Sequence, residues 1–137
     1  MKAPKFSLSY LDKQGDYSLE DDLGKVIVLT FWTSWCPACG VDLPLKEKFY
    51  QVADPEKIKF LTINVVGRER DPSDGVRFYR DFLTQPSLVD RGLETYRAYN
   101  CQGVPTTVII NQTGEIVEQL TDQAKPIKII EAIRPFI

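Results

Sequence analysis

The sequence predicts an α/β fold in which strands and helices alternate, and three observations carry that expectation. Residues 25–31 read Lys-Val-Ile-Val-Leu-Thr-Phe, an unbroken apolar and β-branched run of the kind found in a strand buried on both faces. Residues 59–65 repeat that character, and the stretch between them has helical rather than strand spacing. Near the end of the chain, two apolar runs at 106–110 and 116–120 are joined by Asn111-Gln112-Thr113-Gly114-Glu115, a hairpin signal.

Each element follows in order. Residues 6–10 and 17–19 flank the turn-rich Asp12-Lys13-Gln14-Gly15-Asp16 and predict an N-terminal hairpin. After the buried strand, Pro37 suits the first turn of a helix that continues through Val52, with Val41, Leu45, Phe49 and Val52 near the helical period. Past the second central strand, residues 67–74 form a polar loop carrying Arg68, Glu69, Arg70 and Asp71. Such a cluster usually marks a solvated surface, and no function is assigned to it. Residues 76–83 and 93–99 predict two helices separated by the extended piece Ser87-Leu88-Val89. The closing segment, 126–137, reads as an amphipathic helix with Ile127, Ile130, Ile133 and Ile137 on one face. Nothing repeats, so residues 1–137 are expected to form one domain.

Composition narrows the function. At 137 residues, 43% apolar and 26% charged, the chain suits a soluble domain with its own core. A net charge of -2 leaves no basic footprint for nucleic acid, and none is expected as a partner. No segment approaches the ~20 apolar residues that span a bilayer. Met1-Lys2-Ala3-Pro4-Lys5-Phe6 lacks the apolar core of a signal peptide, which predicts either a cytoplasmic chain or one whose leader or anchor has been removed.

The chemistry is concentrated in Cys36-Pro37-Ala38-Cys39, where the first central strand gives way to the helix. Cys36 is placed at the helix N-terminus, where unpaired amides and the positive end of the dipole favour a thiolate. Cys39, one turn further in, is expected to be shielded and to act as the resolving thiol. Two cysteines at this spacing could also be half of a zinc site, which needs a second Cys or His pair. The chain has no histidine and only Cys101 besides, so a four-ligand site would need carboxylates or a second chain; redox chemistry is the expectation and no metal is assigned. Cys101 has no partner once Cys36 and Cys39 pair, and is expected to be buried, unpaired and dispensable.

Three features together resemble the TlpA/ResA group of thiol-disulfide oxidoreductases: Phe31-Trp32-Thr33-Ser34-Trp35-Cys36-Pro37-Ala38-Cys39, Pro44 in the helix, and Gly103-Val104-Pro105-Thr106-Thr107. The resemblance extends over nearly the whole chain. It implies a thioredoxin-like fold, a central mixed sheet flanked by helices with an N-terminal β-hairpin and a central strand-helix insertion. It also implies a cis Pro105 facing the disulfide, with the Val104 backbone free to pair with an extended substrate. Trp35, Pro37, Val104 and Pro105 are the implied substrate-binding residues, Trp35 as an apolar rim, while Trp32 fills core beside the sheet. Thr30 stands where many thioredoxins carry a buried Asp. Asp42 stands where the group commonly has Glu, so it joins Cys36 and Cys39 as an implied catalytic residue that handles protons.

The implied activity is exchange of a Cys36-Cys39 dithiol with disulfide-bearing protein substrates, as a reductant and without a cofactor. A membrane thiol-transfer protein or a thioredoxin is the implied electron donor. Relatives usually work outside the cytoplasm, anchored or exported, often as reductants in cytochrome c maturation; this chain is expected to be a monomer. A thiol peroxidase and a copper-handling module of the same fold are the alternatives; the second usually adds a histidine, absent here.

Overall fold

The computed structural model describes residues 1–121 and 126–137. Strands β1 (Ser7–Ser9) and β2 (Asp16–Ser18) pair antiparallel with Leu8 opposite Tyr17, the two buried side chains of the hairpin. The second strand stops short of the predicted residue 19 because Leu19–Asp22 turns as a 3-10 helix.

Strand β3 (Val26–Trp32) is buried at every residue and runs through the middle of a five-stranded sheet. Beside it on one side lie β4 (Ile58–Asn64) and β5 (Ser87–Val89), each parallel to its neighbour. On the other side are β6 (Thr106–Ile110) and β7 (Ile116–Thr121), both pairings antiparallel. This is the expected mixed sheet. Its side chains alternate between two faces. Ile27, Leu29 and Phe31 join Val108 and Ile110 in one cluster with the N-terminal hairpin, while Val26 and Val28 join Ile109 in another. By the same alternation Thr30 and Thr107, paired across β3 and β6, belong to the second face.

That second face is covered by α1 (Pro37–Val52), and here the expected apolar stripe is not the buried one. Val41 and Val52 are 61% and 83% exposed. The helix buries Cys39, Asp42, Leu43, Lys46 and Glu47 instead, so charged side chains sit against the sheet and must be satisfied there. Helix α2 (Pro72–Phe82) starts four residues before the predicted helix, since Asp71 accepts the Ser73 N–H as N-cap and Pro72 takes the first helical position. It belongs to the central insertion with β5 and α3 (Glu94–Ala98).

Helix α4 (Pro126–Ile133) docks with Ile129 and Ile133, whereas Ile127 is 52% exposed. A 3-10 turn over Arg134–Phe136 ends the regular helix and leaves Ile137 60% exposed, which takes that residue off the predicted face. The net effect of the topology is to bring three chain segments together at one edge: the end of β3, the start of α1 and the approach to β6.

Candidate active site

Cys36 caps α1. Its sulfur accepts the Cys39 N–H at 3.2 Å, so one of the orphan amides of the helix N-terminus is turned on that sulfur. Its thiol donates to the Val104 carbonyl at 3.4 Å, across the turn where Val104-Pro105 is cis as expected. The Val104 carbonyl is therefore engaged with Cys36 in this dithiol form, where the resemblance leaves the Val104 backbone free. Both active-site thiols and Cys101 are free. Cys36 retains 7% exposure against 0% for Cys39, so the outward thiol is Cys36, though far less open than an exposed nucleophile would be. Burial pushes the Cys39 thiol well above the ordinary range, and its interaction with Cys36 adds to the shift.

The rim is held from the insertion. Glu69 accepts the Ser34 N–H at 2.8 Å, the Ser34 hydroxyl at 2.6 Å and the Asn64 side-chain amide at 2.7 Å. One residue on, the Trp35 indole N–H donates to the Arg68 carbonyl at 2.7 Å. The Arg68 guanidinium lies 6.0 Å from the Trp35 ring and 5.7 Å from that of Tyr96, whose hydroxyl it meets at 2.8 Å. Trp35 keeps 44% of its surface open and Pro37 is exposed, while Trp32 is fully buried with its ring centroid 5.2 Å from that of Phe78 and tilted by 40°.

Beneath the cysteines lies a charged pair. Lys46 Nζ donates to Asp42 Oδ2 at 2.6 Å and to Thr107 Oγ1 at 2.6 Å, with 0% and 4% of the two ionic side chains accessible. Burial pushes Lys46 below the ordinary lysine range, with the Asp42 charge pulling the other way. Thr30, at the position many thioredoxins give to an acid, is buried opposite Thr107 in the sheet with its hydroxyl unpartnered among the described residues. Among those residues no group of three or more His, Cys, Asp or Glu side chains is placed to hold a metal ion.

The family model described as Redoxin matches residues 1–133. The chain belongs to the Redoxin family. Over 121 residues this Redoxin-family chain is 33% identical to the thiol-disulfide oxidoreductase ResA of Geobacillus kaustophilus, covering 87% of this chain and 67% of that protein. It is 34% identical over 94 residues to sporulation thiol-disulfide oxidoreductase A of Bacillus subtilis, covering 68% of this chain and 57% of that one. The chain thus spans a little over half to two thirds of the length of these relatives. The crystal structure of StoA from Bacillus subtilis superposes with a TM-score of 0.81 at 27% identity, covering 95% of this chain and 96% of that one. The fold is thioredoxin-like.

All seven residues expected at the site of this Redoxin-family chain lie at one edge of the sheet or in the first two turns of α1. Three further residues escape sequence reasoning. Glu69 and Arg68 sit in the loop taken for solvated surface, and only their place directly after a predicted central strand hints otherwise. Lys46 is four residues from Asp42, a spacing that ordinarily marks an exposed helical ion pair. Nothing in the sequence signals that both are buried.

Proposed function

We propose that this chain is a thiol-disulfide oxidoreductase that exchanges its Cys36-Cys39 dithiol with disulfides of protein substrates, as a reductant. The observation that carries the reading is the placement of Cys36 at the start of α1, receiving a backbone N–H and lying opposite cis Pro105. A Cys36 thiolate attacks a partner disulfide; one partner sulfur leaves as a thiolate and the other forms a mixed disulfide with Cys36. Cys39 then gives up its proton and attacks the Cys36 sulfur, the bond to the partner breaks, and the partner leaves as a thiolate that takes a proton from water. Two electrons pass from the dithiol to the partner.

Burial acts against a Cys39 thiolate, which is consistent with the reducing direction that the resemblance implies. Trp35, Pro37, Val104 and Pro105 would receive the substrate segment, and a thiol-transfer protein would restore the dithiol. Two relatives bear the name thiol-disulfide oxidoreductase, which supports the same chemistry. An extracytoplasmic site of action, a role in cytochrome c maturation and a monomeric state complete the proposal. No described helix is long and apolar enough to cross a membrane.

The test is turnover of insulin disulfides by the wild-type chain with dithiothreitol as donor, beside a peroxide-consumption assay and a Cu(I) titration. Insulin reduction that vanishes in Cys36→Ser is expected. Rapid peroxide consumption without insulin reduction, or tight Cu(I) binding that blocks it, would replace the proposal with a peroxidase or a copper-handling module.

A further inference from the structure

A lysine with 0% exposure is costly to place, because each buried ion loses its hydration before its partner returns anything. Lys46 is nonetheless buried on the same helix as the resolving thiol. Asp42 follows Cys39 by three residues and Lys46 follows Asp42 by four, which puts the three on one face of α1. Lys46 spans from that face to Thr107 on β6, two residues past cis Pro105. The ion pair is within electrostatic reach of Cys39, whose charge acts on Lys46 as the Asp42 charge acts on Cys39.

The groups around this pair leave Asp42 no other counter-charge. On α1 they are Cys36, Cys39 and Glu47, and Glu47 is spent on the Thr84 and Gln85 amides at 3.0 and 2.9 Å. From the sheet come Thr107 and Thr30, both uncharged. From α2, Tyr79 packs in the same cluster as Cys39 and Leu43. Lys46 is thus the one cation against Asp42 among the described residues.

We propose that Lys46 is a positioning residue for the exchange reaction: its ammonium keeps Asp42 charged and fixed beneath Cys39, so that Asp42 can take the Cys39 proton when the mixed disulfide is resolved. The proposal rests on the proton-handling role of Asp42. In the step, the Cys39 S–H proton moves to the Asp42 carboxylate, the Cys39 thiolate forms the bond to Cys36, and the Cys36-partner bond breaks with the electron pair leaving on the partner sulfur. Without Lys46 the buried carboxylate has no counter-charge and favours its neutral form, which cannot accept the proton.

The experiment uses Ellman's reagent on the reduced chain and follows the two releases of thionitrobenzoate by stopped flow from pH 5 to 9. The first reports attack by Cys36, the second attack by Cys39. Four proteins are compared: wild type, Lys46→Met, Asp42→Asn and the uncharged double variant, each checked for folding by circular dichroism. Lys46→Met is expected to move the midpoint of the second release up by at least one pH unit and change the first release less than twofold. In the Asp42→Asn background the same substitution should move nothing further. Superimposable second-release profiles for wild type and Lys46→Met overturn the proposal if Asp42→Asn still shifts; if Asp42→Asn is also silent, the Asp42 reading itself has failed. An equal Lys46→Met shift in both backgrounds overturns it too, since Lys46 would then act directly on Cys39. Should the single variants unfold, the nitrogen resonance of Lys46 Nζ in the wild-type chain decides: an ammonium at pH 7 supports the proposal, and a neutral amine ends it.

Discussion

Asp42 and Cys101 are buried for different reasons, and substitution at each separates chemistry from packing. A carboxylate on an open helix face could be neutralised at little cost, but Asp42 lies 2.6 Å from a lysine with no solvent access. Asp42→Asn leaves that ammonium unpaired, and a loss of about 3–5 kcal/mol in urea unfolding is expected, largely recovered in the double variant with Lys46→Met. A loss under about 1 kcal/mol would mean that water reaches the pair. Cys101, at 7% exposure, belongs to the core cluster that also holds Phe31, Tyr96 and Tyr99. Cys101→Val is a near-isosteric apolar exchange, so insulin reduction should stay within twofold and stability within about 1.5 kcal/mol. Loss of turnover in a folded Cys101→Val chain would give this thiol a part in the reaction.

At the scale of elements, the insertion between β4 and β6 does more than cover the sheet. Its first loop fixes Ser34 through Glu69 and the Trp35 indole through Arg68, and its helix α2 approaches so closely that a Cβ on Gly75 would lie 2.4 Å from the Asn64 side-chain oxygen. Asn64 cannot swing away cheaply, because Glu69 holds its amide at 2.7 Å. Replacing a helical glycine by alanine ordinarily stabilises by about 1 kcal/mol. Gly75→Ala is expected to have the opposite sign, to weaken the Glu69 clasp and to raise the rate of Cys36 alkylation by iodoacetamide. A stabilised chain with unchanged alkylation would show that the clasp does not control the thiol.

The same elements mark what could be read from the sequence. Strand β3, the two C-terminal strands and the start of α1 were legible because a continuous apolar run, a Gly-containing turn and a proline after the N-cap each have one physical meaning. The cis Pro105 and the clustering of Cys36, Cys39 and Trp35 followed from motif resemblance. The buried face of α1 was not legible: Val41 and Val52 have the more apolar side chains, but the sheet below offers Thr107, and a polar partner can hold Asp42 and Lys46 in place of a valine. Glu69 was hidden similarly, since its value comes from residues 35 positions away in sequence.

Across the whole molecule, burial gives the chain a one-sided response to alkali. Cys39, Tyr17 and Tyr99 are pushed up by desolvation, and Cys101 and Tyr79 are each pushed up to about 12. Raised values mean that the folded state keeps protons the unfolded chain releases, so their stabilisation is complete below the unfolded values and is lost as pH rises. Lys46 is shifted downward and, among the described residues, opposes this alone. The unfolding free energy should fall from about pH 9 upward, each retained proton contributing a slope of about 1.4 kcal/mol per pH unit. Cys101→Val should flatten that slope by one proton between its ordinary 9.0 and about 12. Parallel curves for the two proteins would show that the Cys101 thiol is not desolvated.

The central claim is that Cys36 attacks and Cys39 resolves, and trapping tests it most directly. Cys39→Ser, reduced and then mixed with oxidised insulin at pH 7, should accumulate a covalent complex that dithiothreitol dissolves, with the bond mapped by mass spectrometry to Cys36. The wild-type chain should show almost none, because Cys39 releases the partner. A complex bonded through Cys101, or equal accumulation with and without Cys39, would contradict the account.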